Sequence, residues 1–239
     1  MKNIKLIIIG LLLVSTYTQA TISIDRTRVV YDESSNGVSI VVENIDTKDP
    51  FLVQSWLEDE NKNKISEPLI ALPVLQRVEP NQKKQVRIST SKNNIKPVNN
   101  EESLFYLNIL GIPPKSELDN AVEIVIQSRL KLFYRPKGLT KYPDNNWQKQ
   151  LKIEKIGNSL KLTNPTQYHI VLININDSKN KVDNFQEIIV KPNSNQSYSL
   201  SAKQAKSPNI VVTYIDDYGA PKLLNYTCQS TICSLSNEK

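Results

Sequence analysis

The sequence predicts an all-β chain folded as two sandwich domains behind an export signal. Three observations carry this reading. Short stretches of alternating apolar and polar residues recur between turn signals, about seven of them between residues 22 and 134. Such period-2 alternation marks a strand with one buried face. A polar segment, 137–146, then interrupts the pattern, and about seven further short runs follow it. No heptad and no amphipathic helical pattern accompanies them. Strands this short and this evenly spaced suggest an immunoglobulin-like sandwich, here occurring twice.

Residues 1–20, MKNIKLIIIGLLLVSTYTQA, carry Lys2 and Lys5, an apolar core over 6–14, and then Thr18-Gln19-Ala20. That order is a secretory signal peptide with cleavage after Ala20, and its core is too short to span a bilayer. The mature chain is expected to be exported, without direct membrane insertion. Cleavage leaves 219 of 239 residues. Losing Lys2 and Lys5 reduces the 30 basic residues to 28 against 24 acidic, a net +4. This mild, dispersed excess points to no nucleic-acid partner.

The first domain is expected over 21–142, with runs at 22–31, 38–43, 51–57, 69–75, 85–89, 104–110 and 122–134. Turns fall at Ser34-Ser35-Asn36-Gly37, 46–50, Glu79-Pro80-Asn81, 92–100 and Pro113-Pro114. Trp56, on the third run, is expected in the core. The last run stands apart. Its even positions are Val122, Ile124, Ile126, Ser128, Leu130, Leu132 and Tyr134, while Glu123, Gln127, Arg129, Lys131 and Arg135 are polar. As one strand it would extend roughly 45 Å, longer than strands usually are. A long, regular, apolar strand suits either the centre of a sandwich or an edge that pairs with another chain, and such an edge also permits self-association of the free protein. Pro136 ends it, since proline cannot donate to a ladder. Simple alternation puts Lys131 on the opposite face from Ile126.

The second domain is expected over 143–239, with runs at 151–156, 160–162, 168–175, 185–191, 196–200, 210–215 and 223–228. Cys228 and Cys233 are the only cysteines. In an exported chain, a pair this close reads as a short-loop disulfide.

Several chemistries find no residues to carry them. The six glycines are scattered, so no loop is built to cradle phosphates. His169 is the single histidine and sits in an apolar run, so it reads as structural and not as part of a nucleophilic or metal site. No enzyme activity, cofactor or metal is expected.

Several segments together resemble the periplasmic pilus-assembly chaperones of the PapD family. They are Asp25-Arg-Thr-Arg-Val-Val-Tyr31, Pro50-Phe-Leu-Val-Gln-Ser-Trp56, Gln76-Arg-Val-Glu-Pro80, Glu102-Ser-Leu-Phe-Tyr-Leu-Asn108, Ile112-Pro-Pro114, Lys131-Leu-Phe-Tyr-Arg-Pro136 and Asp217-Tyr-Gly219. The similarity runs from about Ile22 to the C-terminus and includes the cysteine pair. Leu72-Pro73-Val74 stands where the family often has two prolines.

The resemblance implies two immunoglobulin-like domains set in an L around a cleft. It implies periplasmic binding of pilin subunits, which lack a final strand, and their delivery to an outer-membrane usher. The chaperone lends its long strand to the subunit, a recognised mode of strand addition. Val122, Ile124 and Ile126 are implied to fill the subunit's groove. Arg28 and Lys131 are implied to hold its C-terminal carboxylate, which two converging cations suit well. Glu102, Arg135 and Asp217 are implied to form an ionic network between the domains. The short stretch 115–120 before the strand goes, in the family, with rod-forming pili of the common type. The rival reading is an exported immunoglobulin-like adhesin or surface-attachment module, which would share the fold but would not require the paired cations beside a free apolar strand.

Overall fold

The computed structural model describes residues 22–91, 100–116, 120 and 122–236. The export signal, most of the 92–100 turn and part of the 115–120 loop lie outside them.

Two sheets face each other in the first domain. One runs in the order β1 (Ile22–Ile24), β3 (Val38–Asn44), β8 (Lys83–Thr90), β6 (Leu69–Leu72). The other runs β2 (Arg28–Asp32), β10 (Ile126–Arg135), β9 (Ser103–Ile112), β4 (Phe51–Glu58), β5 (Lys64–Ile65), with β7 (Leu75–Val78) also paired to β4. Alternation fills the space between them. On β4, Phe51, Val53, Ser55 and Leu57 point inward and are buried. Of these, Val53 and Leu57 join Val29, Ile40, Val86, Leu107 and Leu132 from the other strands in one core cluster. Each such buried aliphatic side chain contributes about 1.5–3 kcal/mol of transfer free energy.

The same alternation corrects the expectation for Trp56. Its parity is that of Leu52, Gln54 and Glu58, so it sits half-buried on the outer face, and its indole N–H donates to Glu58 Oε1 at 3.0 Å. The run at 22–31 is likewise two strands and not one. The break falls at Asp25-Arg26-Thr27, where the chain crosses between sheets: β1 pairs with β3, β2 with β10. Asp25 steadies the crossing by accepting from the Val41 backbone N–H at 3.1 Å.

The long run is also shorter as a strand than its sequence pattern predicts. Its ladder with β9 begins at Ile126, opposite Gly111. Continuing it by three residues would set the chain against Pro113 and Pro114, neither of which has an N–H to donate. Residues 122–125 therefore belong to no strand.

The second domain is one continuous eight-stranded sheet that curls on itself. Its order is β14 (Ile188–Val190), β13 (Ile170–Asn176), β16 (Asn209–Ile215), β17 (Pro221–Gln229), β18 (Ile232–Leu235), β11 (Lys152–Ile156), β12 (Ser159–Asn164), β15 (Ser194–Ser199). The two ends of this order, β14 and β15, come back into contact. Leu151, Leu160, Ile170, Leu172, Ile210 and Val212 lie in its core. Leu139, inside the polar 137–146 segment, is already buried in that second core, beside Trp147. Among the described residues there is one α-helix, α1 (Ala202–Lys206), which the alternation does not predict. It is too short to show a period, and a capping box starts it: Ser201 Oγ accepts from Gln204 N–H at 3.3 Å, and Gln204 Oε1 accepts from Ser201 N–H at 2.9 Å.

A disulfide joins Cys228 and Cys233, which face each other across the β17–β18 hairpin. The domains meet through a small apolar cluster of Leu104 and Phe133 from the first and Val171 from the second, with Val30, Tyr106 and Ile189 packed around it.

Candidate functional site

Strand β10 carries the site. Its register against β9 is unbroken from Ile126 to Tyr134, so no bulge disturbs the alternation of its side chains. Leu130, Leu132 and Tyr134 face the first core. Phe133 packs toward the second domain, and Lys131 and Arg135 share its parity. Ile126 therefore stands on the core-side face and Lys131 on the opposite one, as simple alternation requires.

The outward face holds two charge clusters four residues apart. At the first, Arg135 Nε donates to Glu102 Oε2 at 2.6 Å, and both terminal nitrogens donate to Asp217, at 2.6 and 2.7 Å. The guanidinium also lies 4.7 Å from the centre of the Trp147 ring and 5.2 Å from that of Tyr168, and those two rings stack on each other. Glu102 Oε1 accepts from the His169 backbone N–H at 2.9 Å and lies 3.0 Å from the ring Nδ1. Asp217 is presented by the β16–β17 turn. There the Asp216 carboxylate accepts from the Tyr218 and Ala220 N–H groups, and Gly219 takes a φ of +86°, a conformation that favours glycine. A Cβ at Gly219 would also collide with Thr27. Burial alone would raise the Glu102 carboxyl pKa, but the His169 hydrogen bond and the Arg135 charge hold it below the usual range. Burial would likewise lower the Arg135 pKa, and its bonds to Asp217 and the charge of Glu102 raise it instead.

At the second cluster, Arg28 and Lys131 are direct partners in the parallel β2–β10 ladder, so their side chains emerge side by side. Arg28 Nη1 donates to the Ile215 carbonyl at 3.2 Å, and the guanidinium lies 5.7 Å from the Phe133 ring centre. Its Nε is buried without a partner among the described residues. Burial lowers the Arg28 pKa against the pull of Asp217, Glu187, Asp216 and Glu102. Lys131 Nζ lies 2.7 Å from Glu187 Oε1.

Beyond Lys131, toward its N-terminal end, β10 has one open side. β2 pairs with β10 only over residues 131–135 of β10. Over 126–130 the ladder partner is β9 alone among the described residues. The apolar run continues past that open edge without cover: Val122 is 89% exposed, Ile124 73% and Ile126 49%. Val125, of the other parity, is exposed as well.

Comparison with known proteins meets this geometry from another side. The family model described as "Pili and flagellar-assembly chaperone, PapD N-terminal domain" matches residues 21–140, and "Pili assembly chaperone PapD, C-terminal domain" matches 146–226. The chain belongs to the PapD family of pilus-assembly chaperones. It is 36% identical to the Escherichia coli chaperone protein PapD, over 100% of this chain and 99% of that one. It is 39% identical to the Proteus mirabilis chaperone protein PmfD, over 96% and 91%. Its fold matches a chain in the Salmonella enterica structure of SafA pilin in complex with the SafB chaperone, with a TM-score of 0.74 at 24% identity, covering 89% of this chain and 99% of that chain.

Within this PapD-family chain, sequence reasoning singled out Arg28, Lys131, Glu102, Arg135 and Asp217, and the fold gathers them into the two clusters above. It missed four others that touch them: His169, assigned only a structural part, and Trp147, Tyr168 and Glu187. Trp147 meets Arg135 across the polar segment between the domains, and the other three reach their partners across more than thirty residues of sequence, where no periodicity carries a signal.

Proposed function

We propose that this PapD-family chaperone binds pilus subunits in the periplasm by strand addition at the open side of β10 and hands them to an outer-membrane usher. The observation that carries it is the uncovered apolar run 122–126, continuous with the half-open strand that ends at Arg28 and Lys131. Exposed valine and isoleucine in this number, on one edge, mark a surface kept for a partner.

This reading also implies a direction. β2 occupies the open side of β10 from Arg28 onward, running parallel to it. A strand added along 122–130 with its carboxyl end at Arg28 and Lys131 lies in line with β2 and therefore also parallel to β10. Its terminal carboxylate meets the guanidinium of Arg28, whose Nε has no partner among the described residues, and the ammonium of Lys131. Charge-assisted hydrogen bonds there are stronger than neutral ones. Val122, Ile124 and Ile126 enter the subunit's groove, contributing at most roughly 5–9 kcal/mol together. No step requires a nucleotide.

Co-expression of Ile124→Glu with a subunit tests this reading. A charge in the apolar groove costs several kcal/mol, so the variant is expected to keep the wild-type circular dichroism and lose the co-purifying subunit. Normal co-purification overturns strand addition at this edge. The adhesin reading has no observation of its own in its favour.

A further inference from the structure

Lys131 already holds a carboxylate. Its Nζ sits 2.7 Å from Glu187 Oε1 and 2.8 Å from Oε2. Glu187 immediately precedes β14, in the second domain, so this contact reaches across from one domain to the other. The pair is partly sheltered, with the Lys131 side chain 20% exposed and that of Glu187 37%. The segment that carries Glu187 is held to the first domain at two further points. Ile189 packs on the cluster of Leu104, Phe133 and Val171, and Lys191 Nζ lies 2.7 Å from Glu60 Oε2. Glu187 is thus not an untethered surface carboxylate that happens to swing past a lysine.

We propose that Glu187 is a third, specificity-determining member of the anchor: a resident carboxylate that competes with the subunit's terminal carboxylate for Lys131. This rests on the reading of Arg28 and Lys131 given above. Two consequences follow from the charges. With Glu187 in place the three side chains carry a net +1, matched to one carboxylate and not to a dianion. Binding at Lys131 must also break the resident pair, so the anchor rewards a chain end less than two bare cations would, and it yields that end more readily. An amide end cannot displace Glu187, so the competition acts on the carboxylate alone and narrows its advantage over a neutral end.

Glu187→Gln tests this, because it keeps the size and removes the charge. The probe is an acetylated peptide of alternating valine and threonine, ending either in a free carboxylate or in an amide, with affinity measured by calorimetry. Exposed ion pairs are worth about 0.2–1 kcal/mol, which converts to roughly a 1.4- to fivefold change in affinity. Glu187→Gln should therefore tighten the carboxylate peptide by up to about fivefold, leave the amide peptide unchanged, and keep the melting temperature of the wild type. If the wild type prefers the carboxylate but Glu187→Gln binds it equally or more weakly, Glu187 is not a competitor and this inference falls while the anchor stands. If neither protein distinguishes carboxylate from amide, the anchor itself is misassigned and the inference falls with it.

Discussion

Arg135 and Lys131 lie on one strand, on one face, four residues apart, and the fold treats their charges in opposite ways. Arg135 is closed in. Two carboxylates take its donors, two aromatic rings cover its plane, and the side chain is largely buried. Lys131 has one carboxylate partner, Glu187, which is itself part-exposed, and its neighbour Arg28 keeps a buried nitrogen without a partner among the described residues. A compensated cluster fixes geometry, and an under-compensated one has charge left over for a further anion, as the proposed function requires. Burial alone does not separate them, since Arg28 is also buried. What separates them is whether every donor has an acceptor.

The largest expected effect breaks the closed cluster. Arg135→Ala leaves Glu102 buried beside His169 and without its main counter-charge. Removing one partner of a buried pair typically costs about 3–5 kcal/mol. Denaturant unfolding should show a loss of that order together with a changed domain arrangement in small-angle scattering. Wild-type melting and scattering would mean that the cluster is not what ties the domains.

Next in size is the open cluster, and here the loss should appear in binding and not in folding. Arg28→Ala and Lys131→Ala are each expected to weaken subunit capture by about 2–5 kcal/mol, the range for truncating one partner of a buried charge pair. Thermal melting should stay close to wild type for Lys131→Ala. If Lys131→Ala unfolds the protein as Arg135→Ala does, the contrast between the clusters collapses.

A smaller effect lies far from both. Replacing Cys228 and Cys233 by serine opens a short loop, worth on the order of 2 kcal/mol. Thiol titration of the native protein should find no free thiol, and subunit binding should be unaffected by the replacement.

The smallest effect sharpens the comparison by pH. Glu102 has a depressed pKa in the folded state, against an ordinary value of 4.5. A group shifted this way stabilises the fold above its unfolded pKa, and that stability is lost as pH falls through the folded one. The wild type should therefore lose stability below about pH 4.5 more steeply than Glu102→Gln. Parallel curves for the two proteins would show that Glu102 is not the group that titrates.

Period-2 alternation was enough to place most strands, because a strand with one buried face writes its burial into every second residue. It failed where burial ceased to be local. Trp56 looked like core because it is large and apolar, but it shares its face with Glu58. The run at 22–31 looked like one strand because no proline or glycine marks the place where the chain changes sheets. The 122–125 stretch looked like strand because its own residues favour one, while its partner chain runs into Pro113 and Pro114. The ionic residues were found through the family resemblance and not through periodicity. Glu187 and His169 could not have been placed from the sequence, since their partners are defined only by the contact between the two domains.

The point where β2 begins has one more consequence. Because β2 fills the side of β10 from Arg28 onward, the vacant side is a slot with one closed end. From Ile126 to Lys131 it is about 16 Å deep, five residues of extended chain. A chain end seated against that stop has its length measured. Lengthened by one residue, the subunit would turn its alternate side chains to the wrong face; lengthened by two, it would recover the face but stand one pair out of step. Under the proposed strand addition the chaperone would work as a caliper for its clients, accepting them by how many residues lie between their groove and their last carboxylate.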